Sequence, residues 1–215
     1  GQNRHGGNVD HALSIDPEER VAVSNFEGAI RREDWAALES RVGKSTIRLL
    51  ELLKARDVRA TFFILGWVAE RQPDLVRQIQ SGGHEIASHG YGHQLVYNLT
   101  PDQFRQDLAR SLELLKTLTG MRPIGYRAPS FSVRRDLEWI WNILAEQGVR
   151  YDSSLFPVVH DRYGEPDAPR FPFKIRAGAR EIMEFPLSTV RLFGTNMPVA
   201  GGGYLRLYPY LLTRW

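Results

Sequence analysis

At 215 residues, 42% hydrophobic and 25% charged, the chain has the size and composition of one large α/β domain. A formal charge of only +3, with no basic run interleaved with aromatics, argues against a nucleic-acid partner. The absence of cysteine removes thiol nucleophiles, disulfides and Cys-type zinc sites, and no stretch approaches the ~20 apolar residues of an integral membrane segment.

Residues 1–10 are polar and glycine-rich and read as a disordered lead. The chain opens on Gly rather than Met, which implies that an amino-terminal segment is missing from the sequence. No signal-peptide core follows, so the expected location is cytoplasmic, with membrane association only through biosynthetic partners. Residues 11–16 read as a short strand ending in the carboxylate of Asp16, and 46–55 have helical periodicity. The β-branched and aromatic run 58–65, closed by Gly66, predicts a buried strand, and 73–80 a helix with Pro73 in its first turn. Residues 85–88 form the next strand. Thr100-Pro101-Asp102 starts an amphipathic helix that runs to 118 and stops at Gly120. A strand over 124–127, a tryptophan-rich helix over 135–146 and a strand over 149–152 follow. Residues 156–172 are loop-rich, 181–187 form a late strand, Gly201-Gly202-Gly203 reads as a flexible loop, and 208–212 as an interrupted helix. Strands alternating with helices predict a parallel sheet, open or closed into a barrel, with ligands at the carboxyl ends of the strands.

Three of the six histidines fall in Gly82-Gly83-His84-Glu85-Ile86-Ala87-Ser88-His89-Gly90-Tyr91-Gly92-His93. His89 and His93 stand four residues apart, but no Glu follows His89 as the helical zinc-peptidase motif requires. Gly90 and Gly92 would each cost about 1 kcal/mol in a helix interior. Both histidines are therefore expected on a loop at a strand's carboxyl end, supplying two ligands of an open metal site whose third ligand is a carboxylate. The plainer alternative is a turn whose histidines are merely hydrogen-bonded. Asp16, His89, Arg127 and Asp152 all lie at or just past expected strand ends, which favours the site. His84, ahead of an apolar strand, is expected to be structural.

Taken in order, Asp16-Pro17-Glu18-Glu19, His89-Gly90-Tyr91-Gly92-His93, Tyr126-Arg127-Ala128-Pro129-Ser130-Phe131 and Tyr151-Asp152-Ser153-Ser154 resemble the polysaccharide deacetylase family, also called the NodB homology domain or carbohydrate esterase family 4. The phrases at 63–70, 83–90, 126–132 and 160–164 are similar to its exosortase-associated branch, which accompanies bacterial exopolysaccharide biosynthesis. The resemblance implies a distorted (β/α)7-type barrel over 11–215. It also implies a hydrolase that removes N-acetyl groups from an N-acetylated polysaccharide or a lipid-linked glycan, using one divalent metal, with zinc the expected ion. Carried over by residue, Asp16 is the catalytic base, His89 and His93 are metal ligands, Arg127 orients the base, and Asp152 takes the place of the fourth motif's carboxylate. Tyr91 and Phe131 are expected to stack on sugar, the Ser130 N–H to hold the oxyanion, and His160 to lie on a substrate-side loop.

Two features depart from the family pattern. The family carries Asp-Asp at its first motif, and the branch Asp-x-Glu-Asp, whereas this chain has Asp16-Pro17-Glu18-Glu19. Glu18 is expected as the third ligand, with Glu19 the alternative. The family's last motif holds a histidine that acts as general acid, and no histidine follows His160, which implies a chain cut before that motif. A deformylase or cyclic-amide hydrolase on the same scaffold, or a catalytically silent glycan-binding domain, are the competing expectations.

Overall fold

The computed structural model describes residues 12–18, 41–134, 136–160 and 163–209. Strands and helices alternate through β1 (Ser14–Ile15), α1 (Val42–Ala55), β2 (Thr61–Ile64), α2 (Gly66–Arg71), α3 (Pro73–Ser81), β3 (Glu85–Ser88), α4 (Pro101–Thr119), β4 (Gly125–Tyr126), α5 (Trp139–Glu146) and β5 (Tyr151–Asp152). The chain then runs through β6 (Phe173–Ala177), β7 (Arg180–Glu184), the separate hairpin β8 (Thr189–Leu192) and β9 (Thr195–Pro198), and α6 (Gly202–Leu207). The main sheet has seven strands in the order β1-β2-β3-β4-β5-β7-β6. All are parallel to their neighbours except β6, which pairs antiparallel with β7 at the edge. This is the distorted (β/α) barrel that the resemblance implies. No described helix is long and apolar enough to cross a membrane.

The local sequence explains these elements. Phe62, Phe63 and Ile64 on β2 are apolar in succession and all buried, as a parallel strand covered on both faces requires. Thr100 and Gln103 form a reciprocal capping box at the start of α4, and Gly120 closes the helix at φ +73°. Phe104, Leu108, Ser111, Leu112 and Leu115 make the buried stripe of α4, at helical spacing. Leu108 and Leu112 join Tyr126, Ile140, Leu144 and Ile182 in one core cluster. A second cluster gathers Phe62, Ile64, Leu75, Val76, Ile79 and Leu115. Gly125 on β4 is a place where only hydrogen fits, since a Cβ would lie 2.1 Å from Cζ of Tyr151.

Strand register organises the functional end. Ser88 on β3, Tyr126 on β4, Asp152 on β5 and Glu184 on β7 lie in one row across the sheet. The ladder continues one residue further, with Arg127 N–H donating to Ser88 O, Ser153 N–H to Tyr126 O and Phe185 N–H to Asp152 O. Side chains alternate across a strand, so neighbouring rows face opposite ways. Ser88 bonds Ser111 of α4, and Tyr126 packs edge-on against Phe104 of α4. That row therefore faces the helices, and the next row, His89 and Arg127, faces the site.

Several elements differ from the sequence-based expectation. α1 starts at Val42 rather than 46, and β1, β4 and β5 are two-residue strands. α2 is too short to show a period, β8 and β9 are short and mostly exposed, and β6 carries an apolar–charged alternation that the sequence reading passed over. α6 begins at Gly202, inside the glycines read as a loop. His11, and residues 210–212 of the expected interrupted helix, lie outside the described residues.

Candidate active site

Arg127 follows β4 and is 6% exposed. Its Nη1 donates to Asp16 Oδ1 at 2.8 Å and its Nη2 to the hydroxyls of Ser14 and Ser153, both at 2.8 Å. Nε donates to the Ser153 carbonyl at 2.9 Å, and the guanidinium lies 4.1 Å over the Phe63 ring. The fork thus holds Asp16, just past β1, against the ends of β4 and β5. A single N–H meets the carboxylate, and the bonds from the other two nitrogens to Ser14 and Ser153 fix the guanidinium from which it is held.

Beside this pair, Glu18, His89 and His93 converge, each offering one ligand atom within 4.8 Å of the others. Glu18 Oε1 is 2.7 Å from His89 Nε2 and 3.2 Å from His93 Nε2. His89 Nδ1 lies 2.7 Å from the Arg127 carbonyl, which accepts only, so Nδ1 carries a proton and Nε2 is the atom left to meet Glu18. His93 is buried with φ +53°, and its Nδ1 has no hydrogen-bond partner among the described residues. Burial favours a neutral His89, yet the contact with Glu18 and the charges of Asp16 and Glu18 outweigh it and push its pKa up. Burial likewise works to raise Glu18, and the hydrogen bonds from His89 and His93 overcome it and hold the carboxyl far below its ordinary range. Two imidazoles and a carboxylate aimed at one point are either bridged by protons or share a cation, and this donor set fits a divalent metal. Glu19, the alternative ligand, lies outside the described residues.

The loop between the histidines is held by a residue that sequence reasoning passed over. Asp107 on α4 accepts from the Tyr91 N–H at 2.7 Å and the Gly92 N–H at 3.1 Å. Gly90, at φ +75°, leaves room for this carboxylate, since a Cβ would lie 2.8 Å from Asp107 Oδ2. The available signal was positional, an acid at mid-helix in the row that carries Phe104, Leu108 and Ser111. Ser14 and Ser153, on either side of Arg127, were likewise not singled out.

The expected substrate-side residues are divided. Tyr91 is engaged already: its hydroxyl donates to Glu70, Arg110 lies 3.5 Å over its ring, and the ring edge packs on Gly66. Ser130 and Phe131 adopt left-handed conformations at φ +51° and +53°. Phe131 stands edge-on to Phe156 and Tyr163, and exposed His160 stacks on Tyr163 with ring centroids 3.7 Å apart. Asp152 is not brought to the cluster. It belongs to the helix-facing row, is fully buried, and bonds the Ser153 N–H and the Ser154 hydroxyl. His84 is structural, its Nδ1 accepting the Ala60 N–H at 3.2 Å.

Comparison with known proteins places this arrangement. Residues 34–151 match the family model of polysaccharide deacetylases, and residues 153–215 match a domain of unknown function, DUF3473. A peptidoglycan deacetylase of Helicobacter pylori is 36% identical over 151 residues, covering 68% of this chain and 49% of that protein. A peptidoglycan-N-acetylglucosamine deacetylase of Bacillus cereus is 35% identical over 95 residues, covering 44% of this chain and 34% of that protein. The chain therefore spans half or less of these relatives. Among solved structures, a Mycobacterium smegmatis protein assigned to the polysaccharide deacetylases superposes with a TM-score of 0.62 at 26% identity, covering 89% of this chain and 64% of the other. An allantoinase shares the fold, with a TM-score of 0.61 at 21% identity over 82% of this chain and 61% of its own. The family match takes in His89, His93 and Arg127, while Asp16 and Glu18 precede it in the chain. With that match extending over more than half of its length, the chain belongs to the polysaccharide deacetylase family.

Proposed function

We propose that this site is the centre of a metal-dependent carbohydrate N-deacetylase. The observation that carries the reading is the convergence of Glu18, His89 and His93 beside a carboxylate, Asp16, held in place by Arg127. Glu18 and the Nε2 atoms of the two histidines would hold the ion, and two imidazoles with one carboxylate suit zinc. A divalent cation there supplies Lewis-acid polarisation of the amide carbonyl and lowers the pKa of water at that position.

The chain's own residues do the rest. Asp16 takes the proton of the attacking water as the C–O bond forms and returns it to the amine nitrogen as the C–N bond breaks, releasing acetate and the free amine, while Arg127 holds the carboxylate in place. The Ser130 N–H is the donor we assign to the developing oxyanion. Phe131, Tyr163 and His160 form an aromatic shelf of the kind that packs on sugar rings. The substrate is an N-acetylated glycan, supported by relatives named for peptidoglycan and its N-acetylglucosamine. An exopolysaccharide strand or its lipid-linked precursor is the form we favour, on the likeness of the motif phrases to the exosortase-associated branch.

Replacing Asp16 by Asn tests this. The variant is expected to keep its metal and to release acetate from N-acetylglucosamine oligomers ~10²–10⁴-fold more slowly than wild type. Undiminished acetate release by Asp16→Asn would remove Asp16 from the reaction.

A further inference from the structure

Asp152 and Glu184 are register partners on β5 and β7, and both are fully buried. One oxygen of each is accounted for. Asp152 Oδ1 accepts from the Ser153 N–H at 2.9 Å and from the Ser154 hydroxyl, and Glu184 Oε1 accepts from the Leu155 N–H at 2.9 Å. The remaining oxygens, Asp152 Oδ2 and Glu184 Oε2, are buried and make no well-formed hydrogen bond among the described residues, and the buried Trp141 Nε1–H, which also makes none, is the one other donor that faces Asp152. The two carboxyl groups lie within hydrogen-bonding reach of each other, and burial pushes the pKa of both upward, Glu184 the further. Two carboxylate oxygens meet in a dry interior only with a proton between them. Asp152 already accepts from two donors, which suits the ionised partner, so the proton resides on Glu184.

The turn this pair closes is the one that grips Arg127. The Ser153 carbonyl and hydroxyl accept from the guanidinium, the Ser153 hydroxyl donates to the Phe185 carbonyl, and the Ser154 hydroxyl accepts from the Ala128 N–H while donating to Asp152. We propose that Glu184 is a positioning residue: protonated and donating to Asp152, it clamps the 152–155 turn, and that turn aims the Arg127 guanidinium and, through it, Asp16. Neither carboxyl of the pair touches the reacting atoms. The other groups facing it are Trp141 on α5, Tyr126 on β4, and Arg127 beyond Ser153. The inference rests on the reading of Asp16 as base and Arg127 as its holder.

Two variants separate this role from simple packing. In Glu184→Gln the amide still donates to Asp152 and its oxygen still accepts from Leu155, whereas Glu184→Met fills a similar volume and donates nothing. Solvent exchange of the Arg127 Nε–H, followed by NMR, is expected to stay within about twofold of wild type in Glu184→Gln and to quicken at least ~tenfold in Glu184→Met. The infrared carbonyl stretch of a protonated carboxylic acid is expected in wild type at neutral pH and absent in Glu184→Gln, a comparison that stands even if Glu184→Met does not fold. Acetate release should follow the exchange order, with the loss in kcat rather than KM. Equal exchange in the two variants, or no protonated-acid stretch in wild type, would overturn the proposal. If the exchange and infrared results hold while wild type releases no acetate from any glycan, the deacetylase reading fails and the positioning role of Glu184 stands.

Discussion

Arg127 donates from all three guanidinium nitrogens, to Asp16, Ser14 and Ser153, while its own carbonyl stands against His89 Nδ1. One residue thus orients the proposed base with its side chain and, with its backbone carbonyl, holds the Nδ1–H of the proposed ligand His89. Lysine cannot reproduce the fork, so Arg127→Lys should lose about 1–3 kcal/mol of stability, read by chemical denaturation, and most acetate release, with the His89 contact left in place. Glu184 makes a pH prediction at the same scale. Its folded pKa is raised above the unfolded value, so the stability it contributes is complete below the ordinary carboxyl range and is lost as pH rises towards the folded pKa. Between those limits wild type should lose up to ~1.4 kcal/mol per pH unit from this group; Asp152, itself pushed up to about 6, adds its own slope below that pH, so the slope that Glu184→Gln should lack in denaturation measured across pH is the part above about 6.

At the scale of elements, the loop after β3 and helix α4 act together. Asp107 takes two successive N–H groups of the loop between His89 and His93, so the spacing of the two imidazoles is set partly from the helix that follows the loop. Asp107→Ala should weaken metal binding ~10–100-fold in chelator competition, as loss of a group supporting ligands does, and Asp107→Asn should weaken it less. Affinity unchanged in Asp107→Ala would show that the loop holds its shape unaided. Sequence reading found the elements whose signals are local: β3 over 85–88, and α4 from its Thr100 cap to Gly120. It missed α2 and the β8–β9 hairpin, which are short, and it passed over β6, where Phe173, Ile175 and Ala177 alternate with Lys174 and Arg176 in a clear strand period. Gly202 and Gly203 pointed away from α6, since glycine composition argues loop until neighbours decide otherwise.

Across the whole molecule, the parallel sheet gathers residues distant in sequence, and the core behind it keeps them aligned. Leu112 is fully buried between α4 and the main cluster, and Leu112→Ala should cost about 2–5 kcal/mol in thermal or chemical unfolding. The residues that converge in the proposed site were legible as positions: Asp16, His89 and Arg127 follow strand ends, and Glu18 stands in the motif that resembles the family's first. The supports were not, because Asp107, Ser153 and Glu184 act through register and helix phase, which single-residue chemistry does not reveal. Strand parity likewise explains Asp152, which closes β5 at the expected place but turns to the helix layer. The measurement that tests the central claim most directly is the metal content of the purified chain in wild type and His89→Ala, taken with acetate release from N-acetylglucosamine oligomers. The account predicts near-stoichiometric divalent metal in wild type, lost together with acetate release in His89→Ala; wild type without metal, or a variant that keeps both, would contradict it.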